Sequence, residues 1–367
     1  MPTEADVLAS LRPVVDPELR RPLVDLDLIK SVKMIGSTAV RISVGLPGND
    51  YPARNQLRDL VSAAVYGVPG LDSVSVDLVT LTEAEQAALS ARLRPVNEGG
   101  QRDNPFTHSG TRVIAVASGK GGVGKSSVTT NLAVALAQAG YDTAAVDADV
   151  WGFSMPRMLG IDRPPLLIDT TIVPPSAHGV RLISMGFFAR EDQPVIWRGP
   201  MLHKALEQFL TDVYWGEPQF LIIDMPPGTG DVSLSMSQFL PRAEVVVVTT
   251  PQAAAQKVAQ RAAFMAQKVN LTLTGVIENM SWFRGDDGKS YELFGAGGGQ
   301  ELADTLGVPM LGQVPLLPAL REGGDLGQPI VVSDPDSEAA QAFTEIARRI
   351  AVDLAPKRVY RSELRIT

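Results

Sequence analysis

Gly119, Lys120, Gly121, Gly122, Val123, Gly124, Lys125 and Ser126 satisfy the spacing G-x-x-x-x-G-K-[ST]. Glycines so placed let backbone N–H groups turn inward around phosphate oxygens, and a helix starting behind them adds the partial positive charge of its N-terminus. Lys125 is then set for the β- and γ-phosphates of a nucleotide and the Ser126 hydroxyl for Mg²⁺, with Ser127 next on the same helix. Lys120 is a second lysine inside the loop, which phosphate cradling by itself does not need.

Three carboxylates complete the chemistry. Asp224 ends the apolar run FLIID (220–224), so a buried strand delivers it to the Mg²⁺ shell. Asp147 and Asp149 lie at the end of another such run, and in extended chain residues two apart project to one face. One of them suits the Mg²⁺ shell and the other an attacking water, because phosphoryl transfer relies on positioning and charge stabilisation. Capping of the following segment is the plainer use of such a pair. Directly after Asp224 comes Pro226-Pro227-Gly228-Thr229-Gly230-Asp231, stiff and then permissive, which suits a loop that rearranges when a γ-phosphate is lost.

These residues need a scaffold that ends several strands together. VIAVAS (113–118), TAAVDA (143–148), FLIID, EVVVVTT (244–250), LTGVIEN (273–279) and MLGQV (310–314) read as strands that are apolar on both faces. Helices are expected at 126–139, 201–213, 252–269 and 337–354. That alternation predicts an α/β fold, a doubly wound and mostly parallel sheet with ligands at the carboxyl ends of its strands. Upstream, residues 1–92 predict a small α/β domain: a helix within 4–14, strands at 29–35 and 38–46, a helix near 53–66, a strand near 73–81 and a helix from Glu83. Residues 93–111 read as a linker rich in Gly, Pro, Asn and charge, 112–355 as the P-loop domain, and 356–367 as a basic tail.

The chain has 367 residues and a formal net charge of −8, which argues against bulk nucleic-acid binding. No uncharged apolar run approaches the roughly 20 residues of a membrane helix, and the first residues have no secretory layout, so a cytoplasmic protein without membrane partners is expected. There is no cysteine. That removes disulfides, thiolate zinc sites, a cysteine nucleophile and thiolate ligands for an iron–sulfur cluster. His108, His178 and His203 are scattered, so solvated or capping roles fit them better than metal binding. Trp151, Trp197, Trp215 and Trp282 have irregular spacing, and packing or interface roles fit most of them better than base stacking.

SGKGGVGKSS (118–127), DADVWGFSMPRMLG (147–160), WRGPMLHKALEQFL (197–210), DMPPGTGD (224–231), ENMSWF (278–283) and VPLLPALREGGDLGQPIV (314–331) together resemble the Mrp-type P-loop ATPases. This is the iron–sulfur cluster carrier family, related to the MinD and ParA ATPases of division sites and partition. DPELRRPLVDLDLIKSV (16–32) resembles the small domain shared with metal–sulfur assembly proteins. The resemblance implies an ATP-dependent homodimer with slow, dimer-dependent hydrolysis. It implies that Lys120 reaches the partner's phosphates, Asp149 positions the hydrolytic water and Asn279 recognises adenine. It also implies a carrier that loads clusters onto apoproteins.

The sequence departs from that pattern at two places. Where the family has a Cys-x-x-Cys pair after ENMS, this chain reads RGDDGKSYELFGAGGG (284–299), with Asp286 and Asp287 best read as a solvated turn. The small domain's usual cysteine is missing near LPGNDYPAR (46–54). An ATP-switched adaptor without its own cluster is therefore a second expectation. A MinD- or ParA-like positioning ATPase is a third, resting on Phe343, Ile346, Ile350 and Leu354 at helical spacing before Lys357, Arg358, Arg361 and Arg365. Because the basic residues follow Pro356 and do not share the helix, core packing plus a solvated tail is the better reading.

Overall fold

The computed structural model describes residues 1–94, 102–107, 109–149, 152–188, 199–228 and 230–355. The centre of the expected linker, His108, Trp151, Trp197, Thr229, the Asp231 side chain and the basic tail lie outside the described residues. In chain order the elements are α1 (Glu4–Leu11), β1 (Ile29–Ile35), β2 (Ala39–Leu46), α2 (Arg54–Tyr66), β3 (Ser73–Thr80) and α3 (Glu83–Leu93). There follow β4 (Arg112–Ser118), α4 (Lys125–Gln138), β5 (Thr143–Asp147), α5 (Met155–Met158), β6 (Leu166–Ile168), β7 (Thr171–Val173), β8 (Ser176–Ala177) and β9 (Val180–Ser184). The rest are α6 (Gly199–Thr211), β10 (Phe220–Asp224), α7 (Gly230–Phe239), β11 (Glu244–Thr249), α8 (Ala253–Lys268), β12 (Thr272–Arg284), β13 (Ser290–Tyr291), α9 (Gly298–Leu306), β14 (Met310–Leu316), α10 (Pro318–Leu326), α11 (Ile330–Ser333) and α12 (Glu338–Arg348).

Two compact units result. The first comprises Met1–Pro105, Arg163–Ser176 and Ala205–Glu217. Its helices start where the sequence signals it: Thr3 with Asp6, and Thr82 with Glu85, form capping boxes in which side chain and backbone satisfy each other's donors. β1 pairs antiparallel with β2, and β2 pairs parallel with β3 across α2. Val40, Ile42, Val44 and Leu46 alternate onto the face that meets Leu57, Val61 and Val65, one stripe of α2. The short β6–β7 hairpin adds Ile168 and Val173 to this core, and the Tyr214 hydroxyl donates to the Leu19 carbonyl.

Within this unit Asp16 is fully buried. Its Oδ1 accepts from the N–H groups of Glu18 (3.0 Å) and Leu19 (2.9 Å) and from the Tyr51 hydroxyl, while its Oδ2 has no hydrogen-bond partner. Tyr51 is itself buried. Burial pushes the Asp16 carboxyl above the ordinary aspartate range, outweighing the hydrogen bonds that lower it. A carboxyl raised on folding contributes stability that is complete below its unfolded pKa and is lost as pH rises through the folded value. Asp16→Asn keeps the oxygen that accepts the two N–H bonds and removes the titration. Its stability relative to wild type should therefore rise with pH from about 4 upward. Urea unfolding at a series of pH values measures this, and a flat difference would show that the carboxyl is not raised.

The second unit comprises Phe106–Asp162, Ala177–Lys204 and Pro218–Thr367. Its nine-stranded sheet has the order β13-β12-β11-β4-β10-β5-β9-β8, with β14 also on β12. The pairs β4–β10, β10–β5, β5–β9, β4–β11, β11–β12 and β12–β14 are parallel, and the short β13 pairs antiparallel with β12. Ile114, Val116, Ile222, Val246, Val248 and Ile277 pack with Val128 and Leu132 of α4 and Phe343 and Ile346 of α12. α8 also packs on β4 and β11, its buried face made of Ala255, Ala259, Ala263 and Ala266. The chain leaves β4 toward β5 on one side and has β11 on the other. β4 is thus the point where the strand order reverses and a crevice opens. No helix among the described residues is long and apolar enough to cross a membrane.

Candidate functional site

Strand register builds the acidic row. In the parallel pairs, Asp224 of β10 lies opposite Asp147 of β5, which lies opposite Ser184 of β9. All three are fully buried at the carboxyl ends of their strands. Ser184 Oγ donates to Asp147 Oδ2 at 3.0 Å, and the Met155 N–H reaches the same oxygen at 3.3 Å. Burial, and next the neighbouring Asp224 carboxylate, push the Asp147 carboxyl up to about 7. Two carboxylates held this close call for a cation between or beside them.

That cation is at present Lys125. Its Nζ lies 2.7 Å from Asp224 Oδ1 and 3.5 Å from Asp149 Oδ2, and the lysine is only 6% exposed. Ser126 Oγ donates to Asp224 Oδ2 at 2.5 Å and Thr129 Oγ1 to Asp224 Oδ1 at 2.7 Å. Thr129 lies one turn beyond Lys125 and Ser126 on α4, which brings its hydroxyl to the same carboxylate. β5 ends at Asp147, and Asp149 lies just beyond it. The Asp149 N–H donates to Asp147 Oδ1 at 3.3 Å, and Asp149 reaches Lys125 while Asp147 accepts from Ser184.

The glycine loop is built for close approach. A Cβ on Gly119 would lie 2.2 Å from the Val258 backbone, so α8 presses directly on the start of the loop. Gly124 caps α4 with φ +76°, a left-handed conformation that disfavours other residues, and gives no side-chain cap to the first N–H groups of the helix. A Cβ there would also meet the Asn279 amide at 2.2 Å. Asn279 Nδ2 donates to the Val123 carbonyl at 2.9 Å, and its buried Oδ1 has no hydrogen-bond partner. On the other side, the Gly228 N–H donates to the Ser118 carbonyl at 3.0 Å, tying the Pro226–Gly228 turn to the start of the P-loop.

A cleft of about 400 Å³ lies over the loop, lined by Lys120, Lys125, Ser126, Asp149, Ser154 and Pro227 among others. Gly121 and Gly122, also on its wall, have open space where a Cβ would point. A second cleft of about 310 Å³ shares Gly124, Ser127, Ser154 and Met158 with the first and adds Asn279, Met280 and the Pro315–Leu317 turn. Two clefts therefore meet at the N-terminus of α4, one carrying Lys120, Lys125, Ser126 and Asp149, the other Asn279 and the Pro315–Leu317 turn. Around the start of α4 lie Gly119 and Gly121–Ser127, with Asp147, Asp149, Asp224 and Asn279. Lys120, also on the wall of the first cleft, donates from Nζ to Gln252 Oε1 at 3.3 Å. Thr129, Ser184 and Gln252 were not foreseen; Thr129 was findable from its place one turn after the lysine.

The oxygen donors of Ser126, Asp147 and Asp224 are hard ligands that suit Mg²⁺. The chain has no cysteine, and among the described residues no three His, Asp or Glu side chains are grouped to hold a metal ion. Asp287 sits in the exposed β12–β13 turn, where the Tyr291 hydroxyl (2.8 Å) and the Lys289 N–H (3.1 Å) satisfy it and hold its carboxyl below the usual range. His178 Nε2 is paired with the Gly327 carbonyl and His203 Nδ1 with the Ser235 hydroxyl. Trp215 is a core residue whose Nε1 donates to the Phe209 carbonyl, and Trp282 Nε1 donates to Glu338.

Residues 110–351 match the family described as NUBPL iron-transfer P-loop NTPase, and residues 4–78 match that described as iron-sulfur cluster assembly protein. The chain is 44% identical over 353 residues to the iron-sulfur cluster carrier protein of Mycobacterium tuberculosis, covering 94% of this chain and 92% of that one. It is 44% identical over 358 residues to the protein of the same name from Synechocystis, covering 96% and 98%. Among solved structures, a nucleotide-binding protein from Archaeoglobus fulgidus in complex with ADP aligns with TM-score 0.55 and 33% identity, over 63% of this chain and 91% of that one. The cell division ATPase MinD of Pyrococcus furiosus aligns with TM-score 0.51 and 26% identity, over 66% and 99%. With its nucleotide cleft intact and its similarity running through both regions, the chain belongs to the iron–sulfur cluster carrier family of P-loop ATPases.

Proposed function

We propose that this chain is a dimeric, cytoplasmic MgATP-hydrolysing switch that serves delivery of iron–sulfur clusters to apoproteins, with the cluster's thiolates supplied from outside the chain. The observation that carries the reading is the buried acidic row held against Lys125 and Ser126 beneath an open glycine loop. ATP phosphates entering the cleft draw the Lys125 amine off Asp149 and receive the N–H groups at the start of α4. Ser126, Asp147 and Asp224 hold Mg²⁺, which supplies positive charge against the phosphate oxygens when bound. Asp149, released from Lys125, orients a water whose oxygen bonds the γ-phosphorus as the bridging P–O bond breaks. ADP leaves and the proton passes to the departing phosphate. Asn279 Oδ1 accepts from the adenine amino group, which answers its unpartnered state. Lys120 reaches the phosphates of the second subunit, so hydrolysis is slow and depends on the dimer.

The cargo sets the test. Anaerobic reconstitution with iron and sulfide is run with and without MgATP and with and without a low-molecular-weight thiol, counting iron and labile sulfide per dimer. The expected result is cluster loading only when thiol is added, and MgATP-dependent transfer to an apoprotein. Loading without thiol would mean that oxygen or nitrogen ligands of the chain suffice. No loading under any condition, with ATPase activity intact, would establish the second reading, an ATP-switched adaptor without cargo of its own, which the absence of cysteine favours. Failure to bind or hydrolyse MgATP would remove both.

A further inference from the structure

The two lysines of the loop are treated differently. Lys125 is neutralised by two carboxylates, whereas among the described residues Lys120 pairs with none. Its ammonium is held by one neutral amide, Gln252 Oε1 at 3.3 Å. Gln252 is the N-cap residue of α8, yet its side chain caps no helical N–H, and the first turn of α8 carries no acid. The positive end of a 16-residue helix is thus uncompensated beside the ammonium. The positive end of a helix disfavours a cation, which opposes the hydrogen bond that Gln252 offers the ammonium. The lysine is held, but only just. An anion offered elsewhere would take it.

We infer that Gln252 is a positioning residue that parks Lys120 on its own subunit and sets how readily the lysine leaves for the phosphates of ATP bound to a second copy of the chain. The inference rests on the dimer proposed above. A neutral partner suits the task. Glutamate at 252 would trap the ammonium in an ion pair, and alanine would leave it without a resting partner.

The test uses the full chain and its variants Gln252→Glu, Gln252→Ala and Lys120→Ala. Sedimentation velocity with a non-hydrolysable MgATP analogue gives the protein concentration of half-dimerisation, and a fluorescent ATP analogue gives nucleotide affinity at concentrations where the chain is monomeric. Gln252→Glu should raise the half-dimerisation concentration about tenfold per lysine, hence about a hundredfold for the two in a symmetric dimer. That shift should shrink between about 0.05 and about 0.5 M salt as screening weakens the new ion pair. Gln252→Ala should lower the half-dimerisation concentration by several-fold, and both variants should keep wild-type nucleotide affinity as monomers. A structural disturbance of α8 would not respond to salt in this way. If Gln252→Glu does not fold, the direction of the Gln252→Ala shift decides. Dimerisation within twofold of wild type in both variants, with Lys120→Ala abolishing it, would overturn the parking role and leave the dimer standing. A wild-type chain that stays monomeric with the analogue would overturn both.

Discussion

Replacing Lys125 by alanine abolishes detectable MgATP binding, with affinity falling by at least about a hundredfold, and also destabilises the nucleotide-free chain by about 3–5 kcal/mol. The first effect follows from losing the phosphate-facing ammonium. The second is specific to this geometry: Lys125 is nearly buried, Asp224 and Asp147 are fully buried, and the lysine is the cation within 2.7 Å of Asp224. Without it the neighbouring carboxylates keep only hydroxyl and N–H donors. Titration calorimetry reads the binding and denaturant unfolding reads the stability. The double variant Lys125→Ala with Asp224→Asn separates the two, because removing the uncompensated charge should restore most of the stability and none of the binding. Unchanged stability in the single variant would show that the ammonium does not compensate the acidic row, and retained binding would remove its phosphate role.

The second large effect is kinetic. Asp149→Ala should lower single-turnover hydrolysis at saturating MgATP by about 10²–10⁴-fold, while MgATP affinity changes less than about tenfold. Asp149 is 7% exposed, lines the phosphate cleft and contacts Lys125 at the long distance of 3.5 Å. Its loss therefore removes little that binds the ground state. Asp147 differs, being fixed by Ser184 and the Met155 N–H. Turnover at the wild-type rate in the Asp149 variant would withdraw the water-positioning assignment.

How much of this was legible in the sequence depends on which physics set each piece. β1, β10 and β11 fall within a residue of where alternation or unbroken apolar runs put them, because a strand's face and its burial leave a direct composition signal. β9 was not foreseen, since Arg181 interrupts it; the arginine is buried and paired with Asp142 at 3.0 Å. β6 and β7 are three residues each, too short for any period to show. The final helix was expected to run to 354 but gives way to a π-helical turn at Arg349–Asp353, where Arg349 donates to the carbonyls of Met310 and Leu311. At the site, the loop, Asp224 and Asp147 were readable because motif and strand end coincide. Ser184 and Gln252 were not, because only sheet register and the packing of distant segments bring them in.

The small unit draws its core from three stretches of chain, the last of which is Ala205–Glu217. On a ribosome adding roughly 5–20 residues per second, Tyr214 emerges some 5–20 s after the first 105 residues are complete. Until then Leu19 has no hydroxyl on its carbonyl, and for the first part of that interval the places of Ile168 and Val173 stand open as well. The N-terminal fragment is thus a nascent intermediate that waits, partly unsealed, for sequence made much later. Fusions or truncations ending near residue 105 would freeze the protein at that stage, and a chaperone that shields apolar surface during elongation would matter most in that interval.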